Sequence, residues 1–255
     1  MCRRPDGWQG KEFYQRVSRG QPAWLQTAAV PVEQGTKRKH FVLCNDLRSL
    51  IWLVNFGCID MNPWASRVGS IDRLDYLVID LDPSGVPFDR VVEVAQEVHR
   101  VLDRIGAANY AKTSGKSGMH VFVPLGAKYD AWQVKALGEL VAILVHQRMP
   151  ELTTRDPRLD RRKGRIYLDH TRNGRGQAVA SAYSVRPAAG ATVSTPLKWS
   201  EVKRGLDPSR FTIRTMPERI AKMGDLWAPV LGPAIDLAKC LGQLERVQRV
   251  ERVSK

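Results

Sequence analysis

The distribution of hydrophobic and polar residues predicts a protein that contains both strands and helices. The segment "LDYLVIDLDP" (residues 74–83) is rich in aliphatic residues and ends at a Pro-Ser-Gly turn, which predicts a buried strand. The segment "PFDRVVEVAQEVHRVLDRIG" (residues 87–106) predicts an amphipathic helix that ends at Gly106. Its apolar stripe consists of Val91, Val94, Val98, Leu102 and Ile105.

Shorter patterns complete the predicted fold. Residues 109–114 and 119–125 predict strands on either side of a glycine loop, and a helix should run from about Ala131 to Arg148. The segments "GRIYLDH" (164–170) and "QAVASAYSVRP" (177–187) predict two further strands. Residues 26–44 predict two strands around a basic turn, and Asp46 is a candidate N-cap for the next helix. We therefore expect an α/β or α+β fold with one mixed central sheet flanked by helices.

Length and charge narrow the class of protein. A chain of 255 residues can form one large domain, which we assign to residues 1–230, followed by an amphipathic helical tail at residues 231–255. The 40 Lys and Arg residues exceed the 26 Asp and Glu residues, so the net charge is +14. Such a surface favours polyanions, most simply nucleic acid. A basic protein with scattered, solvated charges remains the alternative.

The cysteine content and the hydropathy pattern do not indicate a secreted or membrane protein. The four cysteines are far apart in the chain and form no C-x-x-C pair, so we expect reduced thiols and no zinc site. We find no apolar run of transmembrane length, and the first residues do not resemble a signal peptide. These features predict a cytoplasmic protein without a membrane partner.

Three aspartates form a candidate metal site. Asp80 and Asp82 alternate with Leu81 in a predicted strand, so both carboxylates should project from the same face, where they repel unless protonated or bridged by a cation. Asp169 lies near the end of another aliphatic strand. Carboxylates and substrate phosphates are ligands that suit Mg²⁺ or Mn²⁺. Alternatively, Asp82 is a turn residue before Pro83, whereas an EF-hand is excluded because Val91 occupies its twelfth position.

The loop "KTSGKSGMH" (residues 112–120) is a candidate phosphate site. It is not a P-loop, because Tyr110 stands where that motif requires its first glycine. The glycines allow backbone N–H groups to converge on an anion, Ser114 can donate a hydrogen bond, and Lys116 and His120 can neutralise phosphate. A structural histidine and a solvated surface lysine are the alternatives.

The order Asp-x-Asp, Ser-Gly-x-x-Gly-x-His and a strand-borne Asp resembles that of the archaeo-eukaryotic primase superfamily. Several further segments are similar to the polymerase domain of bacterial non-homologous end-joining ligase D, and this similarity extends from about Arg3 to Trp227. The segments are "RRPDGWQGKEFYQRV", "LIWLVNFGCIDMNPW", "TSGKSGMHVFVPL", "RRKGRIYLDHTRNGRGQ", "YSVRP", "STPLKW" and "FTIRTMPERI".

The resemblance implies a single-domain primase-like polymerase fold and a DNA-dependent enzyme, in a bacterial or archaeal nucleoid, that extends primers at gaps or broken ends. It implies two Mn²⁺ or Mg²⁺ ions held by Asp80, Asp82 and Asp169, NTP or dNTP substrates, and Ku and a separate DNA ligase as possible partners. We assign contacts with the incoming triphosphate to Lys112, Ser114, Gly115, Lys116, His120 and Arg186.

The resemblance and the basic composition also suggest contacts with DNA. Phe13 and Tyr14 would pack against the nascent base pair, because aromatic faces stack on any base, although both are also candidates for the core. We assign further contacts to Arg16 and, in the basic stretch before Asp169, to Lys163 and Arg165; a solvated loop is the alternative for this stretch.

The sequence also departs from the family pattern. Arg16 stands where the family has a lysine, the loop lysine is displaced to Lys116, and Asn62 replaces a frequent histidine. The family's first helices, which carry basic residues for a 5′-phosphate, would precede residue 1. Asn62 and the absence of those first helices suggest the alternative of a catalytically weakened, DNA-binding or end-bridging module. A glycosyltransferase that uses a nucleotide sugar would explain only the Asp-x-Asp pair.

Overall fold

A computed structural model of the chain describes residues 1–15, 20–31 and 38–244. In chain order its strands are β1 (Cys2–Arg3), β2 (Phe13–Tyr14), β3 (Thr27–Pro31), β4 (Arg38–Val42), β5 (Arg73–Pro83), β6 (Tyr110–Thr113), β7 (Met119–Asp130), β8 (Thr153–Thr154), β9 (Ile166–Asp169) and β10 (Pro196–Leu197). Its helices are α1 (Leu47–Asn55), α2 (Phe88–Arg104), α3 (Ala131–Arg148), α4 (Leu159–Arg162) and α5 (Met216–Met223).

A six-stranded mixed sheet forms the centre of the protein, in the order β10-β6-β7-β5-β9-β8. Neighbouring strands are antiparallel except for β8 and β9, which are parallel. The strand pairs β1–β2 and β3–β4 form two small separate sheets. The predicted mixed sheet flanked by helices is therefore confirmed.

The two faces of the central sheet have different chemistry. The helices α2 and α3 contact each other and also pack on β5 and β7. Leu77 and Ile79 of β5 are fully buried, and Gly138 of α3 lies close to Leu77, so this face carries the main hydrophobic core. Asp80 alternates with these residues and projects from the opposite face. On that opposite face, Trp227 packs edge-on against Phe122 of β7.

The strongest sequence patterns predicted their elements correctly. The five apolar residues of the α2 stripe are buried, and the chain leaves the helix at Gly106 with φ +69°. Asp46 caps α1 by accepting a hydrogen bond from the Ser49 N–H. The apolar stripe of α1, in contrast, faces solvent; its exposed residues are Leu47, Leu50, Ile51 and Val54.

The strand predicted at residues 177–187 is wrong. This segment forms only isolated bridges, at Ala178 and Val185. Tyr183 has φ +62°, in the left-handed region that interrupts extended structure, and the chain turns there. Two other predictions lie outside the described residues: most of the basic turn after β3, and the tail beyond residue 244. Residues 237–244 are helical, and Leu237, Cys240 and Leu244 are buried against the core.

Candidate active site

Four polar side chains lie in a line across the central sheet. Asp80 of β5 is directly opposite His120 of β7 on one side and Asp169 of β9 on the other. His120 is in turn opposite Lys112 of β6. Because directly opposite residues of antiparallel strands project from the same face, Lys112, His120, Asp80 and Asp169 share the face away from α2 and α3. Strand register thus brings together residues that are up to 89 positions apart.

The carboxylates on this face are each paired with a nitrogen cation or donor. Asp80 Oδ1 lies 3.3 Å from His120 Nε2, Asp169 Oδ2 lies 3.0 Å from Arg172 Nε, and Asp82 Oδ2 lies 2.6 Å from Arg162 Nη1. Burial disfavours ionisation of Asp80, but His120, assisted by Arg172, outweighs it and lowers the pKa of that carboxyl.

The three aspartates have the chemistry of a site for hard divalent cations. They supply oxygen ligands from one face of two adjacent strands, which suits Mg²⁺ or Mn²⁺. Within the described ranges, however, no three His, Cys, Asp or Glu side chains are grouped closely enough to hold a metal ion. Instead, Arg162 forms an ion pair with Asp82, and Arg172 forms one with Asp169. The two guanidinium groups thus balance the charge of these carboxylates.

The glycine loop between β6 and β7 is closed by Ser114. Its backbone N–H donates to the Gly118 carbonyl (2.9 Å), and its Oγ accepts hydrogen bonds from the N–H groups of Lys116 (3.2 Å) and Gly118 (3.1 Å). The backbone donors that we expected to surround an anion therefore converge on the Ser114 hydroxyl. Lys116 is exposed.

Two glycines of this loop allow close approaches that a side chain would prevent. Gly115 has φ +74°, and a Cβ there would lie 2.5 Å from Arg186 Cγ. A Cβ on Gly118 would lie 2.4 Å from the Leu81 carbonyl oxygen, which belongs to the strand that carries Asp80 and Asp82. The loop is thus packed directly against the aspartate strand and against Arg186.

Arg186 joins the glycine loop to a further acid. Its Nη1 donates to the Ser114 carbonyl (2.8 Å), and its Nη2 lies 3.3 Å from Asp60 Oδ2. Asp60 is buried, and its Oδ1, like Arg186 Nε, has no hydrogen-bond partner in the described part of the chain. Asp60 was not predicted as a site residue, although it lies in the segment "CIDMNPW", which carried part of the family resemblance.

Lys112 lies beside His120 on the neighbouring strand and has no solvent exposure. Its Nζ is 2.8 Å from His120 Nδ1 and 2.6 Å from the Oγ of Ser194. Burial, followed by the nearby Arg186, lowers the pKa of Lys112 well below its usual value. The structure therefore places this lysine inside the protein, beside His120, rather than on the surface of the site.

Comparisons with known proteins identify the family of this chain. The family model described as LigD, primase-polymerase domain, matches residues 1–227. The chain belongs to this family. The resemblance inferred from the motifs is therefore confirmed.

Two curated relatives of this family are named for non-homologous end joining. The chain is 29% identical over 238 residues to the multifunctional non-homologous end joining protein LigD of Pseudomonas aeruginosa, covering 91% of the chain and 28% of the relative. It is 31% identical over 226 residues to the bifunctional LigD of Bacillus subtilis, covering 88% and 36%. The chain thus spans about a third of the length of these LigD proteins.

Comparison with a solved structure confirms that this chain has the fold of a LigD polymerase domain. The polymerase domain of Mycobacterium tuberculosis ligase D in complex with DNA superposes with a TM-score of 0.78 and 26% identity. The alignment covers 92% of this chain and 84% of that one.

The aromatic residues Phe13 and Tyr14, which we predicted to contact DNA, lie on the surface. Phe13 and Tyr14 of β2 are 42% and 73% exposed, so the alternative of core residues is wrong. Tyr14 is opposite Cys2 in the β1–β2 pair. The backbone of Cys2 in turn forms an isolated β-bridge with Asp60, the ion-pair partner of Arg186. The pair therefore lies at the Asp60 side of the site. Arg16 lies outside the described residues.

The basic stretch before Asp169 contributes a residue that we did not predict. Lys163 is exposed at the end of α4, and the Arg165 guanidinium donates to the carbonyls of Arg161 and Arg162, so it caps that helix. The residue that contacts an acid of the site is Arg162, which is buried and also lies over the Tyr167 ring. A run of similar basic residues offered no signal by which to select it.

No described helix is both long and apolar enough to span a membrane.

Proposed function

We propose that the chain is a DNA-directed nucleotidyltransferase that extends primer ends at gaps or breaks with NTP or dNTP substrates. The alignment of Lys112, His120, Asp80 and Asp169 across four strands, with the glycine loop packed against the same strands, supports this proposal most directly. It combines carboxylates for metal ions with donors for a triphosphate on one face of four central strands.

Asp80, Asp82 and Asp169 would hold two Mn²⁺ or Mg²⁺ ions. When bound, such ions activate an attacking hydroxyl and stabilise the leaving oxygen in phosphoryl transfer. Arg162 and Arg172 would release the carboxylates as the ions bind, because one carboxylate oxygen cannot serve both partners at full strength.

The remaining polar groups would bind and orient the triphosphate. The Nε2–H of His120, the hydroxyl of Ser114 and the ammonium of Lys116 are donors on or beside the site face. Gly115 would let the loop backbone approach the phosphates, and Arg186 would add a planar cation that its ion pair with Asp60 holds against the loop. Lys112 would act through its contact with His120.

DNA would bind on the same side of the molecule. The structural relative was solved with DNA, and the net charge of +14 suits a polyanion. Exposed Phe13 and Tyr14 would stack on bases, and Lys163 would contact a phosphate. Since the relatives are named for end joining, we propose the same process here, with Ku and a DNA ligase as partners.

A primer-extension assay tests the proposal. The substrates are a short-gap duplex and an open end, each with NTP or dNTP, Mn²⁺ or Mg²⁺, and a downstream 5′-phosphate present or absent. We expect extension by the wild type and roughly a thousandfold loss in Asp80→Asn, because several kcal/mol of metal-derived stabilisation is removed. Glu93→Gln is the matched control, an exposed acid on α2, which packs on the other face.

A second function is favoured by the occupied carboxylates. Since Asp80, Asp82 and Asp169 are each paired within the protein, the chain could serve as a catalytically weakened DNA-binding or end-bridging module. Salt-sensitive DNA binding without extension under Mn²⁺ would support this function. Extension that is equal in wild type and Asp80→Asn would contradict the polymerase proposal.

A further inference from the structure

Lys112 is a fully buried lysine side chain that contacts neither solvent nor a carboxylate directly. It is among the largest completely buried side chains of the described residues. Its Nζ contacts Ser194 Oγ and His120 Nδ1, and the Phe122 ring centroid lies 5.6 Å away. Burying an ammonium group is costly. A lysine that is buried despite this cost suggests a role beyond packing.

The direction of the first hydrogen bond follows from the surroundings of Ser194. Its hydroxyl donates to the Thr113 carbonyl oxygen at 2.9 Å, so its single hydrogen is already used. The Oγ must therefore accept a hydrogen bond from Lys112 Nζ at 2.6 Å. This contact fixes the position of the lysine nitrogen beside His120.

The direction of the second hydrogen bond follows from the two sides of the imidazole. His120 Nε2 faces Asp80 Oδ1 at 3.3 Å, and an ionised carboxylate only accepts, so Nε2 must carry a hydrogen. In the neutral ring Nδ1 is then an acceptor, and it lies 2.8 Å from the Lys112 nitrogen. A hydrogen on Nδ1 would instead point at the Lys112 nitrogen, which itself carries donor hydrogens. The ring is therefore held between a donor, Lys112 Nζ, and an acceptor, Asp80 Oδ1.

We infer that Lys112 is a positioning residue that holds His120 in the Nε2–H tautomer and directs this N–H to Asp80 and the nucleotide site. The lysine does not itself contact the triphosphate. Its value to catalysis rests on the proposed polymerase function, whereas the tautomer is a property of the free protein. A histidine locked in this way can only donate from Nε2, which suits a phosphate oxygen.

Histidine nitrogen NMR tests this inference directly. In protein labelled with ¹⁵N-histidine, long-range ¹H–¹⁵N spectra distinguish protonated from unprotonated ring nitrogens, and His120→Gln identifies the His120 signals among the five histidines. We expect the wild type to show protonated Nε2 and unprotonated Nδ1. In Lys112→Met the Nδ1 donor is lost, so we expect a mixture of tautomers and about tenfold weaker binding of a non-hydrolysable triphosphate.

Two further variants separate positioning from folding. Lys128→Met makes the same change at an exposed lysine of β7, and it should leave the His120 signals unchanged. Ser194→Ala removes the other partner of Lys112 and should shift the tautomer in the same direction as Lys112→Met. Lys112→Met should still fold, because methionine has a similar length and removes a polar group whose burial is costly; if it does not fold, Ser194→Ala provides the result.

The possible outcomes have distinct meanings. A wild-type His120 with protonated Nδ1 would overturn the inference, as would a Lys112→Met variant with an unchanged tautomer. If the tautomer behaves as expected but the wild type extends no primer, the positioning role stands and the polymerase function fails. If the wild type extends primers robustly but Lys112→Met leaves the tautomer unchanged, the polymerase function stands and the positioning role fails.

Discussion

At the scale of single residues, Arg162 and a divalent cation would compete for the same oxygen. Arg162 Nη1 lies 2.6 Å from Asp82 Oδ2, and the guanidinium is buried, while the Asp82 side chain is 49% exposed. The exposed carboxylate can accept a cation from solvent. The buried arginine cannot move away without losing its contacts with Pro157 and Tyr167. Metal binding at Asp82 should therefore be weakened by this ion pair.

Replacing Arg162 should consequently strengthen metal binding. We expect Arg162→Gln to bind Mn²⁺ severalfold more tightly than the wild type, because Asp82 loses its internal counter-ion. Titration followed by Mn²⁺ electron paramagnetic resonance measures the change. Arg161→Gln, at an exposed neighbour paired with Asp156 instead, is the control and should leave the affinity unchanged. Weaker binding in Arg162→Gln would mean that the arginine orients Asp82 for the metal.

Gly118 is a residue whose replacement should disturb the loop and the aspartate strand together. A Cβ would lie 2.4 Å from the Leu81 carbonyl oxygen, and this backbone contact cannot relax by rotation of a side chain. We expect Gly118→Ala to lower the free energy of unfolding by about 1–3 kcal/mol, as measured by denaturant titration. Gly242→Ala, in a helix with open space around it, should instead be neutral or stabilising. Equal stability of both variants would contradict the close approach.

At the scale of elements, the turn after β9 is attached to β5 by the side chain of Asn173. Its Oδ1 accepts from the Val78 N–H (2.8 Å), and its Nδ2 donates to the Val78 carbonyl (2.7 Å) and to the His170 carbonyl (2.8 Å). The carboxamide continues the hydrogen bonding of β9 beyond Asp169, where β9 ends. It thereby fixes the turn that carries Arg172.

Loss of this attachment should destabilise the protein. We expect Asn173→Ala to cost about 3 kcal/mol in the free energy of unfolding, because three hydrogen bonds disappear and the Val78 backbone is left buried without partners. Chemical denaturation measures this cost, and Asn55→Ala, at an exposed residue of α1, should cost little. A small effect of Asn173→Ala would show that solvent replaces the carboxamide.

The elements differ in how well the sequence predicted them. β5 and α2 were predictable because each is a long, uninterrupted pattern with a clear end. The segment around Tyr183 failed because its alternating residues resemble a strand, whereas hydrogen bonds from distant residues impose a turn. One of these joins the Tyr183 hydroxyl to Asp225, 42 positions along the chain, which no local pattern reveals.

At the scale of the whole molecule, the positive charge predicts salt-sensitive binding of DNA. Each phosphate contact contributes a slope of about −0.9 to the dependence of log affinity on log salt concentration. We expect affinity for a gapped duplex, measured by fluorescence anisotropy, to fall steeply with added KCl. Lys163→Gln should make the slope less negative by about one. Lys222→Gln on α5 is the control and should leave the slope unchanged. Binding that is independent of salt would argue against a phosphate-dominated interface.

The assembly of the candidate site was only partly predictable. The motif order identified Asp80, His120 and Asp169, and the strand register places them side by side. The contacts of Asp60, Arg162 and Ser194 were not predictable, because they depend on side chains that approach from separate segments of the folded chain.

The line of side chains across four strands also limits how the chain can change its length. A single residue inserted in β5 before Asp80 would turn this carboxylate towards α2 and α3, and would move an aliphatic side chain to the polar face. A pair of inserted residues would restore the face but not the alignment with His120 and Asp169. Length variation among such proteins should therefore be confined to the connections between these strands.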